Sequence, residues 1–229
     1  MLSVESVNIF YGDSQVVRNL SFCVKEQESV AILGRNGMGK STLLKALMGV
    51  LPTRFGRVTM QGEDITHRES YERVAKGIAF VPQGRMIFPN LTVEENIQTG
   101  METTKGKMIG EDVYSLFPVL FEMRRRKGGN LSGGQQQQLA IARALVSNPK
   151  VIFLDEPTEG IQPSIIKEIA KILGEIKRNL GVALVVAEQM LSFALDVADR
   201  FLIIEKGTFI HEETRGNVDL EKIKQHLTV

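Results

Sequence analysis

Eight residues near the start of the chain, Gly34-Arg35-Asn36-Gly37-Met38-Gly39-Lys40-Ser41, restrict its fold more than any other segment. They follow a short apolar run, Ser29-Val30-Ala31-Ile32-Leu33, and precede a stretch with apolar residues at helical spacing, Lys40 to Met48. Glycines at these positions let the backbone turn tightly, so that successive N–H groups point inward at phosphate oxygens. A helix opening at Lys40 adds its positive end. Lys40 is then placed to reach the β- and γ-phosphates of a nucleotide, and the Ser41 hydroxyl to ligate Mg²⁺. A strand, this loop and a helix form the seed of an α/β fold with phosphate bound at the strand end.

A second apolar strand, Val151-Ile152-Phe153-Leu154, ends in two carboxylates, Asp155 and Glu156. Proteins with this kind of loop hold Mg²⁺ through a second contact from such a strand, a role that falls to Asp155. Glu156 is placed to orient and deprotonate an attacking water. A third element, Leu131-Ser132-Gly133-Gly134-Gln135, combines a Ser N-cap with two glycines at the mouth of a helix predicted to run to Val146. It is a second anion-binding helix end, separate from the first. Two phosphate-binding ends in one chain suggest two chains that share nucleotides.

The rest of the chain fits around these elements. Its 229 residues are enough for one α/β domain with a sizeable core. A formal net charge of +1 calls for neither nucleic acid nor an acidic surface. The basic run Arg124-Arg125-Arg126-Lys127 has no interleaved aromatic platform and reads as a solvated helix end. Cys23 is the sole cysteine, so an intramolecular disulfide is excluded; its apolar neighbours suggest a small core residue. The N-terminus lacks the basic start and apolar stretch of a signal peptide. The longest apolar run, Val182 to Ala187, falls far short of the ~20 residues that span a bilayer. The expectation is a soluble chain that serves a membrane, if at all, by docking onto other subunits.

Strands are predicted over Val4 to Phe10 and Val16 to Val24, with a turn at Gly12-Asp13, and over Gly56 to Met60 and Ile78 to Val81. From about Phe88 to Asn148 the pattern is mostly helical, and Thr92 with Glu95 fits a capping box. After Val151 to Leu154 come helix Pro163 to Leu180, strand Val182 to Ala187, helix Leu191 to Ala198 and strand Phe201 to Ile204. Alternating strands and helices imply a parallel sheet. The predicted architecture is an α/β phosphate-binding core, residues 1–87 and 149–229, with an antiparallel N-terminal β edge and a helical subdomain at 88–148.

These motifs occur in the order seen in the ABC ATPases, and the chain resembles that family over nearly its whole length. The resemblance implies a P-loop NTPase core that binds ATP with Mg²⁺ across residues Gly34 to Thr42 and hydrolyses it with Lys40 and Glu156. It implies that two subunits pack head to tail, each ATP lying between one P-loop and the other subunit's Ser132 to Gln135. It implies adenine stacking for Tyr11, and for Gln83 a role in sensing Mg²⁺ and facing transmembrane permease subunits. Phe88 and Leu91 fit either the surface that meets a permease helix or local core packing. The chain would then sit at the cytoplasmic face of the inner membrane, fed by a solute-binding protein that it does not touch, with no nucleic acid as partner.

Two departures from the family pattern stand out. Where the family usually has a histidine on the γ-phosphate, this chain has Glu188-Gln189; Gln189 can hydrogen-bond but cannot become cationic. Where the family often ends a loop in Ser-Ala-Leu-Asp, this chain has Glu159-Gly160-Ile161-Gln162. Glu188-Gln189 resembles one of the two ATPases of branched-chain amino-acid importers and their relatives. The strings Asp155 to Ile166, Asn36 to Gly39 and Gly84 to Thr92 resemble the urea branch of that group. The expectation is therefore a urea or short-amide importer, with a branched-chain amino-acid importer as the alternative. A second and different ATPase carrying the usual histidine would complete the pair, with a homodimer as the alternative for the isolated chain. A P-loop kinase has no use for Leu131 to Gln135, and repair or translation ATPases of the family are longer than this chain.

Overall fold

The computed structural model describes residues 1–102 and 109–227. The strands are β1 (Leu2–Tyr11), β2 (Ser14–Val24), β3 (Ser29–Leu33), β4 (Thr53–Met60), β5 (Glu63–Asp64), β6 (Ile78–Val81), β7 (Val151–Asp155), β8 (Ala183–Glu188), β9 (Arg200–Glu205) and β10 (Thr208–Thr214). The α-helices are α1 (Lys40–Leu47), α2 (Ser70–Ala75), α3 (Val93–Gln98), α4 (Glu111–Leu116), α5 (Pro118–Glu122), α6 (Gly133–Leu145), α7 (Pro163–Leu180), α8 (Leu191–Val197) and α9 (Leu220–Leu227).

Two sheets result. Strands β10-β9-β3-β8-β7-β6 form the larger, parallel from β9 to β6 with β10 antiparallel at its edge. The antiparallel N-terminal strands form a sheet of their own, in the order β2-β1-β4-β5. The parallel strands are buried on both faces, which is why they read as unbroken apolar runs rather than alternations. In β8, Ala183, Val185 and Ala187 join a core shared with α1 and the second sheet, while Leu184 and Val186 join one shared with α6, α7 and α8. Beneath the latter, α7 lays down Ile166, Ile169, Leu173 and Ile176, one residue per turn of the helix.

The elements between β6 and β7 are helical, as their pattern suggests; residues 103–108 of that stretch lie outside the described residues. Thr92 and Glu95 form the expected capping box, Thr92 N donating to Glu95 Oε2 at 2.7 Å and Glu95 N to Thr92 Oγ1 at 3.2 Å. Cys23 corrects the sequence reading. Strand alternation turns Phe22 and Val24 into the core and leaves Cys23 exposed. Residues 124–127 follow α5 as a turn rather than continuing it, and Arg125 to Lys127 are exposed.

One buried cation was invisible to pattern reading. Arg73 of α2 is 2% exposed. Its guanidinium donates to four carbonyls: Ala46 O at 3.0 Å and Leu47 O at 2.8 Å at the end of α1, Thr66 O at 2.9 Å and Arg68 O at 2.9 Å. The last carbonyls of a helix have no partner within it and carry negative partial charge, so a guanidinium satisfies both demands. Burial pushes the Arg73 pKa down, yet guanidinium stays charged. Replacing Arg73 with Met keeps the stem and strands these carbonyls. The R73M chain is expected to lose about 3 kcal/mol and to melt about 6–12 °C lower by calorimetry; an unchanged melting temperature would show that water replaces the guanidinium at no cost.

Candidate functional site

All parallel strands of the large sheet end on one edge, so the loops after β3, β8, β7 and β6 stand side by side in that order. Ligands of open α/β sheets bind along this edge. In register, Leu33 pairs with Glu188, Ala187 with Asp155, and Leu154 with Val81.

The glycine-rich loop leaves β3 at Gly34, whose N–H donates to Glu188 O at 3.2 Å. A Cβ there would stand 2.6 Å from Ile204 O, so only glycine fits. Gly39, with φ of 104°, is the N-cap of α1 and turns the chain into the helix. Lys40 is 3% exposed and folds back over the loop. Its ammonium donates to Gly34 O at 2.7 Å and Arg35 O at 3.1 Å, and lies 3.1 Å from Glu156 Oε1. Ser41 Oγ donates to Asp155 Oδ1 at 2.9 Å. Asn36 lines the cavity in front of the loop, and Met38 packs on the core beneath it, its carbonyl accepting from Gly207 N at 3.1 Å. Thr42 follows Ser41 in the first turn of α1.

Asp155 is buried, and its second carboxyl oxygen has no hydrogen-bond partner among the described residues. Burial raises its pKa, with the neighbouring Glu156 carboxylate adding to the effect and the Ser41 hydrogen bond opposing it. A hydroxyl and a carboxylate with a free oxygen are hard ligands of the kind that Mg²⁺ takes alongside nucleotide phosphates, so the residues present fit the ion. Glu156 sits in the left-handed region at φ of 47°, held by its N–H to Ala187 O at 2.9 Å. Such strain in a residue other than glycine costs about 1–3 kcal/mol and is found where geometry matters more than stability. Gln83 donates from Nε2 to Glu156 Oε2 at 3.1 Å.

Among the predicted residues, the structure thus brings together Lys40, Ser41, Asp155, Glu156 and Gln83. Gln189 is exposed and shares with Asn36, Glu156 and Gln162 a cavity of about 830 Å³. Tyr11 ends β1 and is 48% exposed; the hairpin it belongs to carries Val16, whose carbonyl lies 3.5 Å from the place of a Cβ on Gly39. Ser132, Gly133, Gly134 and Gln135 open α6 as predicted. Ser132 Oγ accepts from Gln135 N at 3.3 Å, and Ser132 N donates to Gln135 Oε1 at 2.9 Å. None of these four lines the cavity at the P-loop. Ser132 is exposed, and α6 opens beside α7, where a Cβ on Gly134 would meet Ile165 at 2.5 Å.

Arg85, within the string Gly84 to Thr92, makes contacts that nothing in the sequence marks. Its guanidinium donates to Glu159 O at 2.9 Å and lies 3.5 Å from Gln136 Oε1, joining the loops after β6 and β7 to α6. Arg85 and Met86 both have positive φ, 67° and 44°, and Arg143 of α6 donates to their carbonyls at 3.3 and 2.9 Å. Non-glycine residues in this region leave no signature in the sequence.

Fold and site together define a P-loop nucleoside-triphosphatase with a second glycine-rich, capped helix end presented away from the first. Residues 17–159 match the ABC transporter family. The high-affinity branched-chain amino acid transport ATP-binding protein BraG of Pseudomonas aeruginosa is 40% identical over 217 residues, 93% of each chain. The probable branched-chain amino acid transport ATP-binding protein LivF of Archaeoglobus fulgidus is 33% identical, over 90% of this chain and 89% of that one. A dimeric, post-hydrolysis ATP-binding cassette bound to ADP and Pi superposes with a TM-score of 0.84 at 27% identity, covering 95% of this chain and 100% of that one. The chain belongs to the ABC transporter family of ATP-binding subunits; it binds ATP with Mg²⁺ and hydrolyses it to power transport. No helix among the described residues is long and apolar enough to cross a membrane.

The raised Asp155 pKa has a checkable consequence. An acid whose folded pKa lies above its unfolded value weakens the fold as pH rises through that interval. Without nucleotide, Asp155→Asn is expected to melt higher than the parent chain at pH 7, with the gap closing toward pH 4, and to lose the stabilisation that Mg²⁺ adds to bound ATP. A melting temperature lower than the parent's at pH 7 would refute the assignment.

Proposed function

We propose that this chain is one of two different ATPases in an importer for branched-chain amino acids. The observation that carries the paired mechanism is the separation of the Lys40–Ser41–Asp155–Glu156 constellation from the exposed helix end at Ser132. One chain holds the two halves of an ATP site on different surfaces, so a complete site needs a second chain. The amino-acid cargo rests on the likeness to BraG over 93% of both chains. The urea expectation rests on loop strings alone, and the relatives named above lend it no support.

In this reading Gly34 to Thr42 cradle the triphosphate, with Lys40 on the β- and γ-phosphates and Tyr11 against adenine. Ser41, Asp155 and Gln83 hold Mg²⁺, which neutralises charge on the phosphates when bound. Glu156 orients and deprotonates the attacking water, and Gln189 hydrogen-bonds the γ-phosphate or that water. Catalysis is mostly positioning and charge stabilisation. The partner supplies its own Ser-Gly-Gly-Gln helix end and, at the position of Gln189, the family's histidine. Residues 88–148 act as a helical subdomain that moves with Gln83 on closure.

An apolar groove supports the permease as partner. Val50, Tyr71, Met86 and Phe88 are exposed along a cavity of about 700 Å³ between α1 and α2 on one side and α6 on the other. Exposed apolar surface of this kind marks a docking site, and a helix seated there touches both halves of the chain. The test is phosphate release by the chain assembled with its partner ATPase and permease subunits in lipid, with binding protein delivering leucine or urea. Leucine is expected to raise the rate several-fold and urea to leave it unchanged. Stimulation by urea alone would overturn the cargo, and equal activity of the isolated chain would overturn the pairing.

A further inference from the structure

Glu188 ends β8 with its side chain 2% exposed. A carboxylate so deeply buried needs partners, and among the described residues it has no ion pair with Lys, Arg or His. It is held instead by four donors: Thr158 N at 3.1 Å and Thr158 Oγ1 at 2.5 Å on one oxygen, Gln189 N at 2.8 Å and Met190 N at 2.9 Å on the other. Two donors per oxygen match the acceptor capacity of a carboxylate. Its own carbonyl accepts from Gly34 N at 3.2 Å, at the root of the P-loop. Thr158 lies two residues beyond Glu156 and is itself buried. One side chain therefore clamps the loop carrying Glu156 to the loop carrying Gln189, and its backbone fixes both against the glycine-rich loop.

From this geometry we propose that Glu188 is a positioning residue for hydrolysis. Both carboxylate oxygens are taken up by protein donors, so it acts by setting the distance between the acid that prepares the water and the amide that meets the γ-phosphate. The proposal rests on the reading of Glu156 and Gln189 given above. The clamp matters most where Gln189 replaces a histidine. A neutral amide has no charge to draw it toward phosphate, so its backbone must be held in place. Misplacement of a reacting group by about 1 Å costs on the order of a hundredfold in rate.

The test compares E188Q, T158V and T158S in the full chain assembled with its partner subunits, with E156Q as control. In E188Q one carboxylate oxygen becomes an amide that faces two donors. T158V removes the hydroxyl and keeps the backbone contact, and T158S keeps both. Expected are kcat values about 10- to 100-fold lower for E188Q and T158V, with ATP affinity, KM and melting temperature within about twofold or a few degrees of the parent. T158S restores turnover, and the E188Q/T158V double variant is no slower than the worse single. Normal kcat in E188Q or in T158V overturns the proposal, as does a parallel loss of ATP binding or folding in both, which would mark Glu188 as structural. If E156Q turns over normally, the underlying reading fails instead.

Discussion

The ammonium of Lys40 organises the nucleotide site. It is nearly fully buried, bridges two carbonyls of the glycine-rich loop and lies 3.1 Å from Glu156 Oε1. A buried charge is tolerated only when paired and hydrogen-bonded. Here the pairing draws the loop after β3 and the loop after β7 together across the intervening strand β8. Glu156 in turn accepts from Gln83, which brings in the loop after β6. The ATP site is thus pre-formed by the groups that would act in it. In the proposed function, a triphosphate would compete for Lys40 with the loop's own carbonyls and so free Glu156 from its ion pair.

Everything else positions this cluster or connects it outward. The parallel sheet supplies aligned strand ends, and Arg73 secures the far end of α1 so that its near end can face phosphate. Arg85 and Glu188 do for the loops what hydrogen-bond ladders do for strands. Each is a single charged side chain whose contacts are largely to backbone groups of neighbouring loops. Through Arg85 and Arg143, α6 is tied to the loops after β6 and β7, so in the proposed function the Ser132 end and the apolar groove belong to the same connected elements.

Much of this was legible in the sequence. The buried strands β3, β6 and β7 announce themselves because double-sided burial leaves only apolar residues, and α7 because its apolar residues recur once per turn. The P-loop, the acidic strand end and the Ser132 N-cap with its two glycines are legible because phosphate chemistry demands particular residues at fixed spacing. The elements missed were α2, β5, β10 and α9, all short or at the sheet edge, where one face is wet and the pattern weak. Cys23 was misread because its neighbours are apolar, although strand alternation turns it outward. The contacts of Arg73, Arg85 and Glu188 were illegible for a different reason: each joins segments distant in sequence, and nothing local marks a charge as buried. The loop strings that suggested urea lie in the glycine-rich loop and in the loops after β6 and β7, at the nucleotide end of the sheet, so they say little about what is carried.

The most direct measurement of the central claim is single-turnover phosphate release by the assembled ATPase pair, comparing the parent chain with Glu156→Gln. Loss of the group that prepares the water should slow phosphate release about 10²- to 10⁴-fold while ATP affinity stays within about twofold, because Lys40, Ser41 and Asp155 remain. Phosphate release at the parent rate, with ATP bound normally, would contradict the assignment of Glu156 and with it the reading of the strand-end carboxylates on which the mechanism stands.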